Sequence, residues 1–116
     1  MYFVGEAWGD NTNVLSLKTD PGQPVSGEGC NRAGKFTIQG DTFPEGSGAI
    51  NLVAINKCGK WPLSLVWNPM TKMLNGTSED KKYEVALSLV SNSEFDAACS
   101  KHAVRENRSL AYFQII

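Results

Sequence analysis

The sequence predicts a single α+β domain spanning 1–116, built on a mostly antiparallel sheet with one or two short helices. Three observations predict it. Segments that alternate apolar and polar side chains recur along the chain, the period of a half-buried strand. The longest apolar run, Ala49 to Trp67 (AINLVAINKCGKWPLSLVW), is rich in β-branched and aromatic residues. Helix-start signals fall only in the second half, at Asn68-Pro69 and at Ser93 with Asp96 three residues on. Strands with a few short helices in one half describe an α+β chain.

Taken in order, Tyr2 to Trp8 and Asn13 to Leu17 predict a hairpin around the turn cluster Gly9-Asp10-Asn11. Asp20 to Ala33 (DPGQPVSGEGCNRA) has two prolines, three glycines and no period, and is expected to be loop. Lys35 to Gln39 sets Phe36 and Ile38 against polar neighbours, a half-buried strand ended by Gly40-Asp41, and Phe43 to Ser47 is a second loop. Ala49 to Ile55 directs Ile50, Leu52 and Ala54 one way and Val53 and Ile55 the other. Apolar residues on both faces argue for a central strand.

Lys57-Cys58-Gly59-Lys60 breaks that run. Leu63 to Trp67, bracketed by Pro62 and Pro69, fits either a strand or one helical turn. Asn68 as N-cap and Pro69 at the first helical position predict a short helix through Leu74, stopped by Asn75-Gly76. Ser78 to Lys82 is exposed and charged. Tyr83 to Val90 alternates as an amphipathic strand, with Tyr83, Val85, Leu87 and Leu89 on one face. Ser93 and Asp96 resemble a capping box opening a helix to about Val104. Leu110 to Ile116 predicts a closing strand.

Composition narrows the function. At 116 residues, 41% apolar and 20% charged, the chain is one ordinary globular domain. Net charge is −1 with no basic cluster, so the footprint of a nucleic-acid binder is missing. The longest continuous apolar run, Ala49 to Ile55, is itself interrupted by Asn51 and falls far short of the roughly 18–20 residues of a membrane helix, so no membrane span is expected. The start, MYFVGEAW, has neither a basic region nor a long apolar core. An extracytoplasmic protein would then need an export segment outside this chain. An odd count of three cysteines leaves at least one thiol free unless another chain supplies a partner.

Catalytic and metal chemistry find little support. Cys99 and His102 would share a helix face, with Cys58 or Cys30 as a third ligand. A zinc site normally shows paired short spacings, and this chain has only one, so no metal is assigned. A Cys99/His102/Asp96 catalytic group lacks a separate orienting group and an oxyanion loop. The carboxylates fall in turns and solvated faces rather than apolar sequence, where a raised pKa would arise. The glycines of Gly22 to Gly34 do not spell a phosphate loop. No cofactor and no enzyme activity are expected. Trp8, Trp61 and Trp67 are either a flat binding face for a sugar or partner protein or, the preferred reading, core filling. Asn75-Gly-Thr77 and Asn107-Arg-Ser109 are glycosylation sequons.

Segments of the chain resemble two families. The strand Ile50 to Ile55, Cys58, Asn75-Gly76-Thr77, Ala97-Ala98-Cys99 and Leu110 to Phe113 follow one another as in the C-terminal part of type IVb pilins. Ala7-Trp8-Gly9 is also similar to the strand after the pilin's long helix. That resemblance implies a truncated pilus-type subunit closed by a Cys58–Cys99 disulfide. In the loop-entropy account such a bridge contributes about 4 kcal/mol. Val25 to Arg32 followed by Gly34 to Ile38 is similar to the Gly-Cys-Asn segment and next strand of the META/HslJ domain. Cys58 falls where that family's second cysteine would. This resemblance implies an envelope protein of undefined biochemical role with a Cys30–Cys58 disulfide.

The functional expectation is a non-enzymatic, extracytoplasmic structural or interaction domain that engages a protein partner or assembles with itself. A pilus-type subunit comes first and a META-like envelope protein second. A small inhibitor or immunity protein that blocks an enzyme with its loops is the alternative of a different class.

Overall fold

A computed structural model describes residues 1–9, 12–31 and 34–100. Among them stand eight strands: β1 (Tyr2–Trp8), β2 (Thr12–Lys18), β3 (Pro24–Asn31), β4 (Gly34–Thr42), β5 (Gly48–Asn56), β6 (Gly59–Asn68), β7 (Met73–Ser78) and β8 (Glu84–Val90). Each pairs antiparallel with the next, and β8 pairs back onto β1, so the sheet closes into a barrel. A helix, α1 at 92–100, follows β8.

The expected α+β architecture is therefore corrected to a closed antiparallel barrel with one short helix among the described residues. The closing pair sets Tyr2 opposite Val90 and Trp8 opposite Glu84. Closure removes sheet edges, whose unpaired N–H and C=O groups would otherwise need covering. It joins strands at opposite ends of the described chain, so no local pattern announces it. The expected strand at Leu110–Ile116, the helix end near Val104, His102 and the second sequon lie outside the described residues.

Two loop expectations are corrected for one physical reason. β3 runs through the stretch read as loop, and β7 runs through Asn75-Gly76, read as a helix stop. Their glycines lie on the inner face of the barrel. A Cβ on Gly27 would strike the Ser16 carbonyl oxygen, and one on Gly76 the Ser64 carbonyl oxygen. At Gly29 it would stand 2.5 Å from Cζ of Phe36. A small, tightly coiled barrel puts neighbouring backbone and large side chains where a Cβ would go, and glycine relieves the crowding. Here glycine marks close approach within strands.

The helix expected through Leu74 is also replaced. Asn68 does cap backbone, but it caps a turn: its Oδ1 accepts from the N–H groups of Met70 (2.9 Å) and Thr71 (3.4 Å). Lys72 donates its N–H to the Asn68 carbonyl at 2.9 Å and takes the left-handed φ of 57° that returns the chain into β7. Leu63 to Trp67 resolves as strand within β6. Pro62 is tolerated there because its carbonyl accepts from Glu79 N–H (3.0 Å), beyond the β6–β7 ladder, which starts at Leu63. Its nitrogen faces the same side, where no ladder bond is lost.

The interior is a continuous apolar core of residues from every strand, among them Phe3, Leu17, Ile38, Ile50, Leu65, Leu74 and Leu87. Eight strands enclose a space just wide enough for side chains to fill. Charged residues such as Glu6, Lys18, Glu28 and Lys35 occupy the alternate, outward positions of their strands. That is the reverse of the apolar-outside, polar-inside pattern of membrane barrels. No described helix is long and apolar enough to cross a membrane.

Helix α1 starts two residues earlier than expected. Ser91 Oγ accepts the Glu94 N–H at 3.2 Å and lies 3.3 Å from Glu94 Oε1, so the box is Ser91/Glu94. The helix lies on the outer wall: the Phe95 ring lies 4.8 Å from that of Tyr2 on β1, tilted at 45°, and Ala98 is buried.

Candidate functional site

Strand direction divides the turns between two ends of the barrel. One end gathers the β2–β3, β4–β5 and β6–β7 connections. It is plugged by aromatic rings. Phe43, carried on the β4–β5 loop, lies 5.7 Å from Phe3 and 5.4 Å from Trp67, and Phe3 meets Trp67 edge-on at 5.3 Å. The loop is pinned by Phe43 N–H donating to Gln23 O (2.8 Å) and Gly22 N–H donating to Phe43 O (3.0 Å). Rings in tilted and edge-to-face contact add to the stability that their burial already provides.

The opposite end gathers the β1–β2, β3–β4, β5–β6 and β7–β8 connections and is built differently. Beside the apolar Leu63 and Val85, its inward positions carry small or polar side chains: Ala7 on β1, Asn13 on β2, Asn31 on β3, Ala54 on β5 and Ser78 on β7. Asn31 donates its side-chain amide to Asn13 Oδ1 at 2.8 Å, a pair across β2 and β3. Trp61, opposite Ala54 in the β5–β6 ladder, stands at the rim with 42% of its surface exposed. Tyr83 stands across the mouth, its ring so close to Gly9 that a Cβ there would lie 2.5 Å from Cδ1.

The β7–β8 turn that carries Tyr83 is held by one serine. Ser78 Oγ donates to Asp80 Oδ1 (2.6 Å) and accepts the Tyr83 N–H (3.0 Å), while Asp80 Oδ1 also accepts the Lys82 N–H (3.1 Å). Lys81 adopts the left-handed φ of 59°. These donors, the Ser78 hydroxyl first and the Lys82 N–H second, hold the Asp80 carboxyl below its ordinary value. On the β5–β6 turn, Asn56 Oδ1 accepts from Cys58 N–H (2.7 Å) and Gly59 N–H (3.2 Å), an Asx turn.

The three tryptophans do not share a face. Trp67 belongs to the plug, whereas Trp61 and Trp8 (45% exposed) stand at the opposite end. The cysteines stand on three different elements, and all three are free thiols in this structure. Cys58 is exposed on the mouth turn, Cys30 is buried on the outward side of β3, and Cys99 is half-buried on α1. Among the described residues no three of His, Cys, Asp and Glu gather closely enough to hold a metal ion.

Sequence reasoning passed over Asn13, Asn31, Ser78 and Tyr83 as site residues. Asn31 sat in a segment read as loop, and Ser78 opened a charged stretch read as solvated. Only closure of the barrel brings the four to one rim. No family model matches the chain, and neither the search of curated proteins nor that of solved structures found a match.

Proposed function

We propose that this chain is a non-catalytic binding domain that receives a small, uncharged ligand at the mouth lined by Asn13, Asn31, Trp61, Ser78 and Tyr83. The observation that carries this reading is the asymmetry of the two ends. Three large rings plug one end, while the other pairs small inward residues with an amide pair and two rim aromatics. Barrel mouths are a preferred place for ligands, and a few convergent polar groups among aromatic walls are what such sites use. The inward side chains named here are neutral, which favours a flat molecule bearing hydrogen-bonding groups over an ion.

The test is a small-molecule fragment screen read by intrinsic tryptophan fluorescence and ligand-observed NMR. Binders of the expected site lose at least about tenfold in affinity with Trp61→Ala and with Asn13→Ala, each worth roughly 1.4 kcal/mol or more. They bind unchanged to Val66→Ser, which alters the outer wall. Fragments that bind all three variants equally, or no fragment binding at all, would overturn the reading.

A second reading is favoured by the outer wall. From β5 to β7 its outward side chains include Val53, Ile55, Pro62, Ser64, Val66, Asn75 and Thr77, with Lys60 the one charge, near the mouth. Val66 is 55% exposed. A neutral, partly apolar wall suits contact with a protein partner or a second copy of the chain. Sedimentation of the native chain beside a Val66→Lys variant tests self-association. A monomer for both at high protein concentration would remove that form of the reading.

A further inference from the structure

We infer that Cys30 and Cys99 form a redox pair whose disulfide staples helix α1 to the outer wall of the barrel. Ser16, on β2, is the point of reference. It is fully buried although it faces outward, between the interior-facing Leu15 and Leu17. Its hydroxyl donates to the Glu28 carbonyl on β3 at 3.3 Å and lies 3.8 Å from the Sγ of Cys99 on α1. The helix residue is therefore in van der Waals contact with the β2–β3 ribbon.

Cys30 stands on the same patch. The β2–β3 register sets Ser16 opposite Glu28 and Val14 opposite Cys30, so Cys30 and Ser16 are diagonal neighbours on the outward face. Diagonal neighbours bring their Cβ atoms within about 7 Å. Cys30 is only 2% exposed, yet it does not belong to the interior core. On α1, Ala98, next to Cys99, is itself buried. Two thiols from elements nearly 70 residues apart in sequence thus flank a single serine. Cys58 sits beyond the end of β5, two strands round from β3, which at about 4.8 Å per strand is about 10 Å. A disulfide needs Cα atoms within about 7 Å.

The chemistry is thiol–disulfide exchange with a low-molecular-weight disulfide as oxidant. Cys99, the more accessible thiol, attacks as thiolate, forming a mixed disulfide and releasing one small thiol. The Cys30 thiolate then attacks the Cys99 sulfur, forming the protein disulfide and expelling the second small thiol. Two protein thiols are oxidised, one small disulfide is reduced to two thiols, and the two protons leave to solvent or to the departing thiolates. Once closed, the bridge holds α1 against the wall whatever the strength of its Tyr2–Phe95 and Ala98 contacts.

The experiment is equilibration of the full chain in reduced and oxidised glutathione at stepped ratios, an alkylating quench, and peptide mapping by mass spectrometry. The expected result is a loss of two hydrogens, a linked Cys30–Cys99 peptide and an alkylated Cys58. A Cys58→Ser variant, which leaves the buried patch intact, forms the same bridge at the same ratio. Alkylation of Cys30 and Cys99 at every ratio would overturn the inference, as would a bridge that includes Cys58 or stable mixed disulfides with glutathione alone.

Discussion

The ring of Phe43, on a loop, lies 5.4 Å from that of Trp67, inside β6, and the two meet Phe3 of β1. A loop residue thus completes the barrel core and closes one of its ends. Phe43→Ala should leave a cavity there and lower stability by about 3–5 kcal/mol. Urea unfolding followed by tryptophan fluorescence measures this. Because the plug lies at the far end from Trp61 and the Asn13/Asn31 pair, any ligand affinity at the mouth should change little in the folded variant. A mutant as stable as the parent would show that Phe43 is not core.

Glycines that look alike in sequence should respond in opposite ways. Gly76→Ala forces a Cβ into the Ser64 carbonyl and the β6 backbone, an overpacking expected to cost about 1–3 kcal/mol or more. Gly46, on the β4–β5 loop, has open space where its Cβ would go and no left-handed φ. Gly46→Ala should be neutral or stabilise by up to about 1 kcal/mol, because it restricts the unfolded chain. Paired thermal melts decide it, and equal effects at the two sites would contradict the inward placement of Gly76.

Asp80 gives a pH dependence with a definite sign. Its carboxyl is held below the ordinary value of 3.8 in the folded turn, chiefly by the Ser78 hydroxyl. The stabilising contribution is therefore fully present above about pH 4–5 and is lost as pH falls through the lowered folded value. Amide exchange at Lys82 and Tyr83 should accelerate, beyond its intrinsic pH trend, as the sample is acidified below pH 4. Asp80→Asn should abolish that extra dependence, while an unchanged profile would separate the turn from the carboxylate.

The Ser91/Glu94 box anchors α1. Ser91→Ala removes the acceptor of the Glu94 N–H and should weaken the helix by about 1 kcal/mol. Hydrogen exchange should speed up over 92–100 while barrel amides keep their protection. Loss of protection across β1 and β2 as well would mean that helix and barrel unfold as one unit.

Much of the strand content was legible from alternation alone. The β4 core pair Phe36 and Ile38, the inward set Ile50, Leu52 and Ala54, and the face of Val85, Leu87 and Leu89 follow from a two-residue period, while the β1–β2 hairpin follows from aromatic and β-branched residues on either side of a turn cluster. What misled was punctuation. Gly27, Gly29 and Gly76 read as breaks in the sequence, although each stands where a neighbouring strand excludes a side chain. Asn68-Pro69 carries a helix-start signature, yet its cap serves a turn, because the left-handed Lys72 redirects the chain. In the capping stretch, Ser91 and Glu94 match the motif more closely than Ser93 and Asp96 do.

The candidate site was less legible than the fold. Trp61 was singled out from sequence, but grouped with Trp67, which lies in the opposite end of the barrel. Asn13 and Asn31 gave no signal, because an asparagine is informative only once its register partner is known. By itself the sequence determined that the segments of β1, β2, β4, β5 and β8 are extended and which of their side chains are apolar. Only the tertiary structure decided that β8 returns to β1, which end is plugged by rings, and which face of the barrel each cysteine stands on. Alternation is written residue by residue along one strand, whereas closure and register depend on pairings between distant strands that no short window contains.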